Sequence, residues 1–126
     1  MLGRSGSGKS QFLRHCNGMS VPDSGSVMVH GMDISTLKRR DLCRLRSRMP
    51  LVIQSSGLID SISLRENIAY PLRYLSSLSS ATILDRADQA ASAVNLSQVE
   101  ISEMPARVPP GVLKRAAIAR ALVLDP

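Results

Sequence analysis

Gly3-Arg4-Ser5-Gly6-Ser7-Gly8-Lys9-Ser10 stands within the first ten residues of a 126-residue chain, and its spacing decides the fold. Glycines at 3 and 8, followed by Lys-Ser, satisfy the G-x-x-x-x-G-K-[ST] phosphate-loop pattern. The chemistry needs this spacing. Glycines let successive backbone N–H groups converge on phosphate oxygens with no Cβ in the way. A helix opening at Lys9 turns its positive end toward the same phosphates. Lys9 adds a full charge on a flexible stem, and Ser10 offers a hydroxyl to Mg²⁺. The pattern predicts an α/β nucleotide-binding core, with Met1-Leu2 as the tail of a strand that runs into the loop.

Working outward, residues 9–19 read as a helix with Phe12, Leu13 and Cys16 on one face. Pro22-Asp23-Ser24-Gly25 is a turn, Val27-Met28-Val29 a short strand, and His30-Gly31-Met32-Asp33 a second turn. Leu51-Val52-Ile53 reads as a buried strand that opens into a loop at Gln54. Ser63 with Glu66 three residues later is a capping-box signature. It predicts a helix through Leu64 and Ile68 that breaks near Pro71. Residues 76–80 are a polar connector. Residues 81–94 carry an apolar stripe of Ile83, Leu84, Ala87, Ala91 and Val94, and residues 113–122 form a strong helix rich in Ala, Leu and Arg. Strands at the front and helices behind give a core with a helical insertion.

Composition limits what such a core can be. Apolar residues make up 44% of the chain and aromatic ones only 2%, so the interior must be aliphatic. The net charge of +6 suits a polyanionic partner. Much of it sits in Lys38, Arg39, Arg40, Arg44, Arg46 and Arg48, interleaved with Leu37, Leu42 and Leu45. That run reads as an amphipathic helix with a solvated basic face. No aromatic residue punctuates it, so bases have no stacking platform and nucleic acid is not expected as a partner. Cys16 and Cys43 fit no metal-ligand spacing and read as small, unbridged core residues. His15 and His30 read as helix-surface and turn residues.

The phosphate loop does not say which class of NTPase carries it. Arg4-Ser5-Gly6-Ser7-Gly8-Lys9-Ser10 resembles the version found in ABC transporter ATPases. Pro22-Asp23-Ser24-Gly25-Ser26-Val27, followed by His30-Gly31-Met32-Asp33-Ile34, resembles the β-hairpin that comes next in that family. Leu51-Val52-Ile53-Gln54 resembles its Q-loop. Lys114-Arg115-Ala116-Ala117-Ile118-Ala119-Arg120-Ala121-Leu122 resembles the helix after the ABC signature, and Asp125-Pro126 the dipeptide beyond it. Order and spacing are the family's over essentially the whole chain. A narrower likeness is to the Mla-type ATPases, which energise phospholipid trafficking between the membranes of Gram-negative bacteria. It rests on Gln54-Ser55-Ser56-Gly57-Leu58-Ile59-Asp60-Ser61 and Glu66-Asn67-Ile68-Ala69-Tyr70-Pro71-Leu72-Arg73, with Met104-Pro105 and Lys114-Arg115-Ala116-Ala117.

The resemblance implies an α/β fold: a partial P-loop NTPase (ABC ATPase) core with a helical subdomain. Residues 1–56 would be the partial nucleotide-binding core, 57–112 the helical subdomain, and 113–126 the post-signature helix returning to the core. ATP and Mg²⁺ would be held by Gly3, Arg4, Ser5, Gly6, Ser7, Gly8, Lys9 and Ser10, with Gln54 completing the metal shell and sensing the γ-phosphate. Residues 57–75 would meet a membrane permease subunit. The protein would work as a homodimer of ATP-binding subunits, cytoplasmic and peripheral on the inner face of the cell membrane.

Three departures qualify that expectation. Val108-Pro109-Pro110-Gly111-Val112 stands where the family has its Leu-Ser-Gly-Gly-Gln (or Met) signature, and only Gly111 matches. Pro109 removes the serine hydroxyl and an N–H, and Pro110 removes another N–H, although both residues suit the start of a helix. The Walker B aspartate, the catalytic glutamate and the switch histidine would all follow Pro126. The strand before the loop and the aromatic residue that stacks on adenine would precede Met1; Tyr70 and Tyr74 do not fill that role. These residues alone are expected to give little or no hydrolysis and marginal stability. A non-hydrolysing nucleotide-binding remnant or regulatory subunit is the alternative reading.

Overall fold

The computed structural model describes Arg4 and residues 6–126. The strand tail expected at Met1-Leu2, and the loop residues Gly3 and Ser5, lie outside the described residues. The chain forms two compact units, Met1–Leu51 and Val52–Pro126. All the excess charge is in the first, which holds nine Lys or Arg against three Asp or Glu; the second holds seven of each.

In the first unit helix α1 spans Lys9–Cys16, shorter than the sequence predicts, and buries none of its residues; Phe12 and Leu13 are exposed. Its end is enforced by Gly18 at φ +65°. A Cβ there would lie 2.6 Å from Leu42 Cδ1 and 2.8 Å from Ile34 Cγ2, so both backbone and space demand glycine. Strands β1 (Met28–Val29) and β2 (Met32–Asp33) pair antiparallel, Met28 opposite Asp33 and Val29 opposite Met32. His30 at φ 48° and Gly31 at φ 76° give the two left-handed residues of a type I′ hairpin turn. Asp33 then caps a 3-10 turn at Ile34–Thr36, accepting from Ser35 N–H at 2.9 Å.

Helix α2, Arg39–Arg48, carries the basic run. Lys38, Arg39, Arg40, Arg44 and Arg48 are exposed, as a solvated face requires. Arg46 is not part of that face. Its Nε donates to Asn17 O at 3.0 Å and its Nη2 to Gly18 O at 2.8 Å, so it caps the negative end of α1. The cysteines are both free, but Cys43 is exposed and Cys16 only half-buried, which corrects the reading of both as core residues. Cys43 falls on the wet side of α2 because Leu45, two residues on, is the helix's buried position.

The second unit is helical: α3 (Leu64–Leu75), α4 (Ser80–Ala93), α5 (Gln98–Ser102) and α6 (Pro110–Leu122), with a 3-10 turn at Pro105–Arg107. Ser63 caps α3 by accepting from Glu66 N–H, and Ser79 caps α4 by accepting from Thr82 N–H. The break expected at Pro71 does not occur. Pro71 removes one i→i−4 bond, but Ile68, Ala69 and Leu72 around it are all buried, and that packing carries the helix to Leu75. Residues 51–53 form no strand either. Val52 and Ile53 are 44% and 46% exposed, and among the described residues the only sheet is the β1–β2 pair. An apolar run becomes a strand only when a neighbour satisfies its N–H and C=O groups.

Helices α3, α4 and α6 pack mutually, with α5 against α3. Alanines stand at the crossings: Ala69 on α3, Ala87 and Ala91 on α4, Ala116 and Ala119 on α6, all buried. Small side chains let the helices approach closely, and Leu64, Ile68, Ile83 and Ile101 fill the remaining space. Polar ties reinforce the packing. Arg65 Nε donates to Asp88 Oδ1 at 2.7 Å across α3 and α4, and Arg115 Nη2 to Glu100 Oε1 at 2.9 Å across α6 and α5.

Candidate functional site

Of the Gly3–Ser10 stretch, Arg4 and residues 6–10 are among the described residues. Gly6 and Gly8 have φ of 79° and 84°, the left-handed region where a Cβ is strained. A Cβ at either position would meet nothing within 4 Å, so it is the backbone conformation and not crowding that favours glycine there. The first helical bond of α1 runs from Phe12 N–H to Gly8 O at 2.9 Å, and no side chain caps the helix. The positive end of the α1 dipole is therefore at the Gly8 end of the loop, with no side-chain cap. Lys9 Nζ folds back over the loop, donating to Arg4 O at 2.6 Å and to Ser7 Oγ at 3.2 Å. Ser7 N–H donates to Arg4 O at 3.2 Å, which closes the turn beneath it. Ser10, one residue into α1, is exposed. Such a cradle of glycine backbone, helix end and ammonium fits a phosphate group. A cavity of ≈ 140 Å³ also lies in this unit, lined by residues that include His15, Gly18, Val27, Ile34 and Leu42, and none of the described loop residues lines it.

Gln54 stands on a tight turn in the second unit, exposed. Ser56 N–H donates to Ile53 O at 3.2 Å, so Gln54 and Ser55 are the corner residues. Ser56 and Gly57 follow at φ 60° and 57°. Two consecutive left-handed residues aim their carbonyls to one side, and Arg120 of α6 receives both: Nη1 donates to Gly57 O at 2.7 Å and Nη2 to Ser56 O at 3.0 Å. A non-glycine residue in the left-handed region costs about 1–2 kcal/mol, and a charge-assisted hydrogen bond returns about 1.5–3 kcal/mol, so the guanidinium offsets the strain at Ser56. Burial lowers the Arg120 pKa from its ordinary value. The sequence places Arg120 only within a helix; its role is not visible there because its acceptors lie 63 and 64 residues away.

At the signature position Pro109 is the N-cap of α6 and Pro110 its first residue, so the helix starts three residues earlier than expected. Val112 N–H already donates to Pro109 O at 2.9 Å. Among residues 109–111 only Gly111 carries an N–H, and no side chain caps the helix. Val108 is half-buried and Val112 fully buried, so neither offers a polar group. The prolines make a good helix start and leave a single donor at its tip.

The ABC transporter family model matches residues 1–126, the whole chain. A methionine import ATP-binding protein, MetN 2, of Paraburkholderia xenovorans is 40% identical over 126 residues, covering 100% of this chain and 32% of that protein. A probable ribonucleotide transport ATP-binding protein of Mycobacterium leprae is 36% identical over 126 residues, covering 100% of this chain and 36% of that protein. The chain thus spans about a third of the length of the curated relatives it matches. Among solved structures, a dimeric ATP-binding cassette in a post-hydrolysis state bound to ADP and Pi superposes with a TM-score of 0.88 at 28% identity, covering 98% of this chain and 54% of that one. This likeness bears out the expected fold class, a partial ABC ATPase core with a helical subdomain. By the family match over residues 1–126, the chain belongs to the ABC transporter family.

Proposed function

We propose that this chain supplies the Mg-ATP-binding loop, the Q-loop glutamine and the helical subdomain of an ABC transporter's ATP-binding subunit, which energises transport. The observation that carries the proposal is the loop itself: left-handed Gly6 and Gly8, the uncapped end of α1 and Lys9 arched above them. In this reading Gly3, Arg4, Ser5, Gly6, Ser7 and Gly8 wrap the phosphates with backbone N–H groups. Lys9 exchanges its contacts with Arg4 and Ser7 for phosphate oxygens. Ser10 and Gln54 would hold Mg²⁺, which would supply screening of the phosphate charge. Residues 57–112 form the helical subdomain, whose 57–75 surface meets a permease, and 113–126 return to the core. Two ATP-binding subunits pair, on the inner face of the membrane; among the described residues no helix is long and apolar enough to cross it.

The relatives named above are a methionine import and a probable ribonucleotide transport ATP-binding protein, whereas the phospholipid assignment rests on short matching stretches between residues 54 and 117. The proposal therefore extends to transport and names no cargo. A non-hydrolysing regulatory subunit is a second reading, favoured by one observation, the loss of donors at Pro109 and Pro110.

Titration with ATP, by calorimetry and in the presence of Mg²⁺, tests the first reading. Lys9→Ala removes one charged contact worth about 1.5–3 kcal/mol, so affinity should fall about 10- to 100-fold. An unchanged affinity would sink the assignment of the loop. Phosphate release measured alongside separates the readings: binding that needs Lys9 without turnover supports the regulatory one.

A further inference from the structure

Arg120 is half-buried, and among the described residues no carboxylate stands within ion-pair distance of it. A guanidinium withdrawn from water is costly unless its donors are satisfied. Here two of its nitrogens are satisfied by two successive backbone carbonyls, those of Ser56 and Gly57. The planar fork matches them because both residues are left-handed and their carbonyls point the same way.

The turn is closely packed at Gly57. A Cβ on Gly57 would come within 3.0 Å of Ile53 Cδ1 and 3.6 Å of the Arg120 Nη2 nitrogen, and Gly57 N–H is already engaged with Ser55 O at 2.7 Å. Ile53 and Ser56 close the turn whose corner is Gln54 and Ser55. Arg120 thus grips the two residues immediately after the corner, from a helix of 13 residues packed in the core of the same unit.

We propose that Arg120 is a positioning residue for Gln54: its guanidinium, bonded to the Ser56 and Gly57 carbonyls, fixes the corner from which Gln54 is presented to its ligand. Arg120 touches no ligand itself. It acts by removing the freedom of a turn that has no helix or strand to hold it. The proposal rests on the reading of Gln54 as a ligand to ATP-bound Mg²⁺.

The test is a double-substitution cycle read on nucleotide binding, which does not require turnover. ATP affinity is measured with and without Mg²⁺ for the unaltered protein, Gln54→Ala, Arg120→Ala and the double variant. A single neutral oxygen ligand is worth a factor of about 3–10 in the Mg²⁺-dependent gain. Arg120→Ala should reduce the gain by the same factor as Gln54→Ala, and the double variant should lose no more than either. Affinity without Mg²⁺ should stay within about threefold in all of them. Hydrogen exchange at residues 55–58 should accelerate in Arg120→Ala and lie between the two in Arg120→Lys, whose ammonium can hold one carbonyl well but not both. If Arg120→Ala does not fold, Arg120→Lys carries the cycle.

Multiplicative losses in the double variant, or unchanged exchange at residues 55–58, would overturn the positioning role while leaving the nucleotide site intact. If Gln54→Ala keeps the full Mg²⁺-dependent gain while Lys9→Ala weakens binding as expected, the reading of Gln54 fails and the positioning role falls with it. If Lys9→Ala also binds normally, the fault lies in the proposed function itself.

Discussion

Replacing Asn67 by alanine should unfold the second unit more readily than its modest size suggests. Asn67 is fully buried on α3. Its Oδ1 accepts from Ile59 N–H at 2.7 Å, and its Nδ2 donates to the carbonyls of Ile59 at 2.9 Å, Ser63 at 3.0 Å and Ile62 at 3.3 Å. Alanine removes every one of these. Ser63 O keeps the Asn67 N–H at 2.9 Å, and the Ile62 contact is the weakest. The stranded groups are therefore the N–H and C=O of Ile59. Each buried orphan costs about 1–3 kcal/mol, and the lower part of that range applies because Ile59 is only half-buried, so the loss should be about 2–4 kcal/mol. Aspartate gives a sharper comparison. It keeps the acceptor for Ile59 N–H but turns a negative oxygen toward three carbonyls. At neutral pH it should destabilise more than alanine. The folded carboxyl pKa is then raised, so Asn67→Asp regains stability as pH falls, when the protonated form can donate. Urea unfolding followed by circular dichroism at two pH values reads both effects. A loss below about 0.5 kcal/mol for Asn67→Ala, or an aspartate variant as stable as the unaltered protein at pH 7, would refute the reasoning.

Glu100 should make the second unit acid-sensitive. The Ser97 N–H, the Ser97 hydroxyl and Arg115 hold its carboxyl below the ordinary value. Its contribution is present above the ordinary carboxylate pKa and disappears as pH falls through the depressed folded one. Glu100→Gln should therefore be less stable at pH 7 and indistinguishable at about pH 2, as thermal midpoints would show; a pH-independent difference would count against it. At the other end of α6, Pro109→Ser with Pro110→Gly restores a hydroxyl and two N–H groups. ATP-promoted self-association, followed by sedimentation with Mg²⁺, should strengthen about tenfold or more, and no change would mean that this helix start does not face a nucleotide.

How much of this was legible in the sequence depended on how local the cause was. The phosphate loop was readable because phosphate geometry fixes glycine, lysine and serine at set spacings, and Gly6 and Gly8 take the conformations that spacing implies. Helix α3 was readable from Ser63 and Glu66, and α4 from its apolar stripe. Helix α5 was missed although Ser97 and Glu100 form a complete capping box, the same signal read correctly at Ser63. Its five residues are too few to show a period. The strand expected at 51–53 failed for the opposite reason. Its residues were suitable, but a strand is a property of a pair, and no partner can be read from one segment. Cys43 and Arg46 exchanged their expected surroundings because the face of α2 is set by what α1 leaves uncapped, at Asn17 and Gly18.

The least legible feature bears on the role proposed for Gln54. Residues 56–63 connect the Gln54 corner to α3 without regular secondary structure, a setting in which high mobility is the ordinary expectation. Yet Arg120 holds the segment at Ser56 and Gly57, and Asn67 holds it at Ile59, Ile62 and Ser63. Between those anchors Leu58 packs against the helical core. Two polar side chains, neither with a sequence signature, thus do for this connector what a ladder of backbone bonds does for a strand. The anchors act on neighbouring backbone but come from different helices. Loosening either one should raise hydrogen exchange through the segment, while α4, to which neither side chain hydrogen-bonds, keeps its protection. A glutamine that is to meet a ligand at a fixed point needs this kind of support, because its own turn supplies only one closing hydrogen bond.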